Sequence, residues 1–206
     1  MPKGYCIAGI GTGVGKTIFS TIITEALHAD YWKPVQCGDL NNSDTLIVKS
    51  LVTNSKTIFH PETFQLKEPM SPHAAAAIDG VAINPSDFKL PETDNTIIIE
   101  GAGGLMVPLN DTFLIVDLFK QLNLPVILVS RNYLGSINHT ILSYEILKQK
   151  NIPIAGLVFN DAGNFTTENF IIEYTQLPVI LKIDSEKLWD NTTVKKYSLQ
   201  LKTILH

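Results

Sequence analysis

The stretch that most constrains this chain is Gly9-Ile10-Gly11-Thr12-Gly13-Val14-Gly15-Lys16-Thr17. An apolar run, Tyr5–Ile10, leads into it, and an amphipathic stretch from Lys16 to about His28 follows. A strand that passes through a glycine-rich turn into a helix aims successive backbone N–H groups at one point, where the helix N-terminus adds its partial positive charge. Such a turn cradles phosphate oxygens. Gly13, Val14 and Gly15 supply the cradle, Lys16 reaches the β- and γ-phosphates of a nucleotide, and the Thr17 hydroxyl binds Mg²⁺. The strict pattern G-x-x-x-x-G-K-[ST] has glycine where this chain has Ile10; Gly9, Gly11 and Gly13 provide freedom on either side. A glycine-rich turn with a chance Gly-Lys-Thr is the bland alternative, and the placement at the first β–α junction argues against it.

Further apolar runs follow at Tyr31–Val35, Thr96–Ile99, Pro125–Val129, Ile154–Phe159 and Pro178–Ile183. They lack polar alternation, which predicts strands buried on both faces of a parallel sheet. Between them the spacing predicts helices over Ser43–Val52, Ser71–Ile78, Leu114–Leu122 and Ser136–Lys150, with a closing helix over Val194–Leu205. Ser71-Pro72 is a good N-cap followed by an N1 proline. The short distance from Lys16 to Lys33 predicts an abbreviated first helix and second strand. A βαβα order implies right-handed crossovers, hence an α/β doubly wound, mostly parallel sheet with helices on both faces, of the P-loop NTPase type. Ligands in such sheets sit beyond the carboxyl ends of the strands.

With 206 residues, 45% of them hydrophobic, and no repeat, linker or composition shift, the expectation is one domain over residues 1–206. A net charge of −4 offers no electrostatic reason for a nucleic-acid partner. Cys6 and Cys37 form neither a disulfide framework nor a zinc pattern. No apolar run approaches the roughly 18 residues of a membrane span, and no signal-peptide core stands near the start, so the expectation is a cytoplasmic protein without membrane attachment.

Four clusters fall where this fold places ligand-facing loops. Lys33-Pro34-Val35-Gln36-Cys37-Gly38 closes the second strand, and Asn42-Ser43-Asp44 opens the next helix. Pro69-Met70-Ser71-Pro72-His73 follows, and Glu100-Gly101-Ala102-Gly103-Gly104 closes the third buried strand. In order and spacing, together with the phosphate loop, they resemble the dethiobiotin synthetases. The similarity continues through Leu124–Val129, Leu134-Gly135-Ser136-Ile137-Asn138-His139 and Asn160-Asp161, and is loose beyond residue 161.

The resemblance implies ATP- and Mg²⁺-dependent ring closure of 7,8-diaminononanoate with CO₂, through a carbamate and a carbamic-phosphoric anhydride, in a homodimer. An anionic carbamate attacking a triphosphate needs concentrated positive charge. Lys33 and Lys16 are the expected catalytic residues, and Thr17, Asp44 and Glu100 the expected Mg²⁺ ligands, oxygen donors that suit a hard cation. Asp44 taken alone is as readily an ordinary helix-start acid, and Glu100 alone the polar end of a strand. Gly101, Ala102, Gly103, Asn160 and Asp161 are expected at the nucleotide, Asn160 offering an amide to an adenine edge. Cys37, Gly135, Ser136 and Asn138 are expected at the substrate, the last three meeting the substrate tail across the dimer. Ile183 and Asp184 occupy the place of a base-contacting loop that lacks its usual proline here. His73 and His139 have no visible carboxylate partner and read as structural.

Departures from the family pattern are Gly11 and Gly13, where an acidic residue is common, and Cys37, where Thr or Ser is common. Two other readings stay open. An amide synthetase of the cobyrinic-acid type carries an extra glutamine-hydrolysing domain, for which 206 residues leave no room. A dimerising ATPase switch carries an additional lysine early in the phosphate loop, where this chain has Gly11.

Overall fold

Strand β1 (Gly4–Gly9) delivers the chain into the glycine-rich turn, and α1 (Lys16–Leu27) begins immediately after it. The computed structural model describes residues 4–205. The first half continues with β2 (Asp30–Trp32), β3 (Val35–Cys37), α2 (Asp44–Leu51), β4 (Phe59–His60), β5 (Phe64–Leu66) and α3 (Pro72–Asp79). The second half holds β6 (Ile97–Gly104), α4 (Ile115–Leu122), β7 (Val126–Arg131), α5 (Ser136–Gln149), β8 (Ile154–Asn160), α6 (Phe165–Thr175), β9 (Val179–Ile183) and α7 (Asn191–Leu205).

Seven of these strands form one sheet in the order β4-β2-β6-β1-β7-β8-β9, with every pairing parallel. From β1 the chain crosses leftward to β2; from β6 it crosses back over β1 to β7 and continues to β8 and β9. Right-handed crossovers in opposite directions put α1 on one face and α4, α5 and α6 on the other. The reversal at β1 opens a crevice at the carboxyl ends of β1 and its neighbours. The fold is therefore the expected doubly wound α/β sheet.

The apolar runs are buried because both faces are covered. Ile97, Ile98 and Ile99, like Val126 to Val129, have no more than 1% of their surface exposed. From the α1 side Phe19, Ile22 and Ile23 are wholly buried, each contributing about 1.5–3 kcal/mol of transfer free energy. Helix α7 packs on α1, and α5 on β7 and α6.

Three expectations need correction. The run Tyr31–Val35 is not one strand: β2 ends at Trp32, and Pro34, which has no N–H for a ladder, separates it from β3. Strand β3 pairs with β5 in a second, two-stranded sheet. The run Thr96–Ile99 marks only the first half of its strand, since β6 runs on through Glu100 and closes at Gly104, the end of the glycine-rich cluster. Helix α6 was not expected: of its eleven residues only Glu168, Ile171 and Thr175 are buried, so no apolar stripe marks it. No helix among the described residues is long and apolar enough to cross a membrane.

Candidate functional site

The phosphate loop turns twice through the left-handed region, at Gly13 (φ 71°) and Gly15 (φ 98°). Gly15 caps α1, and a Cβ there would collide with the Asn160 amide. Val14 is buried and its carbonyl accepts a hydrogen bond from Asn160 Nδ2 at 3.0 Å. Lys16 is 7% exposed and its Nζ donates to the Gly11 carbonyl at 3.0 Å. Burial and the neighbouring Lys33 lower its pKa to about 8. Ile10, at the position of the missing motif glycine, turns its side chain into the core.

At the start of α1 four groups from three elements and a loop converge. Thr17 Oγ1 lies 2.7 Å from Asp44 Oδ1 and 2.9 Å from Glu100 Oε1. Lys33 Nζ lies 2.5 Å from Asp44 Oδ2 and 3.1 Å from Glu100 Oε1. Tyr31 Oη donates to the other Glu100 oxygen at 2.9 Å. Burial opposes the Lys33 charge, but Glu100 and Asp44 outweigh it and raise the pKa, so the side chain is an ammonium. Asp44 opens α2 behind the N-cap Ser43, whose Oγ accepts from Leu46 N–H at 3.3 Å. Gln36 Oε1 accepts the Asp44 N–H at 3.3 Å and fixes that end of the helix.

The donor set suits a divalent hard cation. Thr17 has one hydroxyl proton, yet two carboxylate oxygens stand within hydrogen-bond distance of it. A cation relieves the second, proton-less contact, and Mg²⁺ is commonly held by one or two carboxylates with phosphate oxygens completing the shell.

These residues face a cavity of about 710 Å³ that also reaches Gly13, Gly15, Cys37, Ala102 and Gly103. Its far wall is Pro69, Met70 and Ser71, held close because Gly38 (φ 67°) has no Cβ to strike Pro69. The Cys37 thiol is half-buried, and burial pushes it up to about 11, so it stays protonated near neutral pH. Cys6 is buried inside β1.

Other expected residues stand elsewhere. Gly101 is not on the cavity; a Cβ there would press the Phe119 ring of α4 at 2.8 Å, so packing is what requires the glycine. The Asp161 carboxylate is taken up by Arg131, Ser185 and Ala162 N–H rather than presented outward. Ile183 is buried in the core, and the Asp184 N–H donates to Tyr197 Oη at 3.1 Å.

Gly135, Ser136 and Asn138 form the N-terminus of α5, with Gly135 (φ 101°) as its cap, and lie outside the main cavity. Beside them a second cavity of about 420 Å³ includes His139, Met106, Leu142 and the loop residues Gly11 and Thr12. His139 Nδ1 pairs with Tyr133 Oη at 2.7 Å, and His73 is exposed on α3. Tyr31, Gln36 and Arg131 are the site residues that sequence reasoning missed as partners of the loop and the carboxylates. Tyr31 reaches Glu100 through the register that sets it beside Ile98 of β6, and no local pattern in the sequence signals that pairing.

Residues 3–193 match the model of a P-loop family described as AAA domain. The ATP-dependent dethiobiotin synthetase of Christiangramia forsetii is 52% identical over 96% of this chain and 95% of the relative. That of Cytophaga hutchinsonii is 46% identical over 97% of each. Among solved structures, the septum site-determining protein MinD of Pyrococcus horikoshii OT3, complexed with Mg-ADP, superposes with a TM-score of 0.62 at 11% identity, covering 98% of this chain and 97% of that one. At that identity the likeness concerns the fold alone.

Proposed function

Since this chain belongs to the family of ATP-dependent dethiobiotin synthetases, and is thus an ATP-dependent ligase of biotin biosynthesis, we propose that it closes the cyclic urea of 7,8-diaminononanoate with CO₂. One amine takes up CO₂ as a carbamate. A carbamate oxygen then attacks the γ-phosphorus of ATP, ADP leaves, and a carbamic-phosphoric anhydride results. The second amine attacks the anhydride carbon, phosphate departs, and dethiobiotin is formed.

The observation that carries this reading is the convergence of Lys33, Asp44, Glu100 and Thr17 beside the phosphate loop on one cavity. Thr17, Asp44 and Glu100 would hold Mg²⁺, which neutralises phosphate charge when bound. Lys16 and the loop amides would bind the triphosphate. Lys33 stays protonated, which suits it to stabilise the charge on the carbamate and the transferring phosphoryl group and not to act as a base. Asn160 commits its amide nitrogen to Val14, which leaves Oδ1 as an acceptor for the adenine amino group. Cys37 would contact the substrate as a neutral thiol. The unit is a single domain, acting as a cytoplasmic homodimer.

The MinD-like fold is shared with dimerising ATPase switches, but Gly11 supplies no lysine to reach across a dimer. A Cβ at Gly11 would meet no atom within 4 Å, so space is not what excludes a side chain there.

Incubation with diaminononanoate, bicarbonate, Mg²⁺ and ATP should yield dethiobiotin by mass, together with ADP. Lys33→Ala should lose at least about a thousandfold in turnover, the scale of one electrostatic group in phosphoryl transfer, while retaining ATP binding. ATP hydrolysis without product in the wild type would remove the substrate assignment, and near-normal turnover in Lys33→Ala would remove the catalytic one.

A further inference from the structure

Arg131 is the only arginine of the chain and the last residue of β7. Its side chain is solvent-facing yet fully engaged. Nε donates to Asp161 Oδ2 at 2.7 Å, Nη2 stands in an ion pair 2.6 Å from the same oxygen, and Nη1 donates to the Gly13 carbonyl at 3.3 Å. Asp161 (φ 75°) is in turn held by the Ser185 hydroxyl and by the Ala162 N–H at 2.8 Å. One residue further along the phosphate loop, the Val14 carbonyl accepts from Asn160. Two consecutive loop carbonyls are thus gripped from the ends of β7 and β8.

A peptide unit is planar and trans, so its C=O and the following N–H point in opposite directions. Holding the Gly13 and Val14 carbonyls therefore fixes where the N–H groups of Val14 and Gly15 point. Packing does not do this at Gly13, where a Cβ would meet no atom within 4 Å. Gly13 also sits at positive φ and without a side chain is free to flip.

We propose that Arg131 is a positioning residue for the phosphate loop, holding the Gly13–Val14 peptide in its anion-binding orientation through a chain that runs Ser185–Asp161–Arg131–Gly13. An isolated exposed ion pair contributes little. Here two nitrogens of one planar guanidinium close on a single Asp161 oxygen, and the third nitrogen of the same plane reaches the loop. A lysine has one compact ammonium and cannot span both partners. The inference rests on the nucleotide-binding reading above but not on the identity of the second substrate.

The test is binding of a fluorescent ATP analogue without turnover, in wild type, R131M and R131K. R131M should weaken the analogue about tenfold, and R131K should fall close to R131M. D161N should weaken it in the wild-type background and add little in the R131M background, because the two act through one chain. In the coupled assay R131M should raise the half-saturation for ATP by the same factor, leaving that for diaminononanoate and the rate at saturating ATP nearly unchanged. If R131M does not fold, R131K carries the same comparison. Unaltered nucleotide affinity in the arginine variants, or an equal loss for both substrates with a lowered melting temperature, would overturn the assignment. A wild type that binds the analogue but makes no dethiobiotin would overturn the substrate reading and leave this one standing.

Discussion

A threonine hydroxyl has one proton to give, and at Thr17 two carboxylate oxygens compete for it within 3 Å. The Lys33 ammonium sits against the same carboxylates, one of them buried to 1% exposure. Two clustered carboxylates without a cation would repel each other in a poorly solvated place, and removing one member of such a group is severe. Lys33 and a divalent cation therefore compete for the same oxygens. Glu100→Gln and Asp44→Asn should each raise the Mg²⁺ concentration for half-maximal rate, since a neutral amide attracts a hard dication less. Lys33→Ala should do the reverse for binding: titration calorimetry without nucleotide should give a Mg²⁺ dissociation constant several-fold below wild type. Mg²⁺ should also raise the melting temperature of that variant more than that of the wild type. Unchanged Mg²⁺ dependence in either carboxylate variant takes that residue out of the metal site, and weaker Mg²⁺ binding in Lys33→Ala ends the competition model.

At the scale of elements, the second sheet matters most for the cavity. Strands β3 and β5 bring Cys37 and Gly38 against Pro69, just before α3, and the turn works only while residue 38 has no Cβ. Gly38→Ala would place one 2.6 Å from the Pro69 Cβ, at a φ of +67°. Chemical denaturation should show a loss of about 1–3 kcal/mol, and the half-saturation for diaminononanoate should rise. Gly11→Ala, with no atom within 4 Å, is the control and should change stability by less than about 0.5 kcal/mol. A Gly38→Ala protein as stable as that control would mean the turn yields. This sheet also marks what could be read in advance. Strands β1, β6, β7, β8 and β9 were legible because burial on both faces leaves continuous apolar runs. Strands β4 and β5, two and three residues long, leave no run to see. Within the site, Lys16, Lys33, Asp44 and Glu100 stood out through local motifs. The partners Tyr31 and Arg131 did not, since their contacts span 69 and 118 residues and depend on strand order.

At the scale of the whole molecule, exposed apolar residues line the second cavity, at Met106 and Leu142, and stand just before α5, at Tyr133 and Leu134. Leu134 is fully exposed, and Leu142, Met106 and Tyr133 expose 59%, 57% and 42% of their surface. Exposed clusters of this sort, bordering a cavity that shares Gly11 and Thr12 with the phosphate loop, suit a protein partner better than water. The N-terminus of α5 lies alongside, where Gly135 is open to solvent and the buried Ser136 hydroxyl has no partner among the described residues. Diaminononanoate ends in a carboxylate, and the amides of a helix N-terminus favour such a group. Arg131, the one arginine, is already bound to Asp161. In the homodimer proposed here, the α5 terminus of one subunit would therefore hold the tail of the substrate reacting in the other. Sedimentation should give a dimer for the wild type, and Leu134→Glu should shift it toward monomer by putting a charge into the contact. Gly135→Leu departs from the left-handed conformation that the glycine adopts at φ 101°, so the α5 cap must rearrange. It should raise the half-saturation for diaminononanoate at least severalfold and leave that for ATP within about twofold, because the phosphate loop is untouched. Mixing Gly135→Leu with Lys33→Ala subunits should then restore part of the activity, since the pair contains one active site with an intact lysine facing an intact α5 terminus only if the site is shared. A fully active wild-type monomer, or no restoration in the mixed dimer, would return both halves of the site to a single subunit.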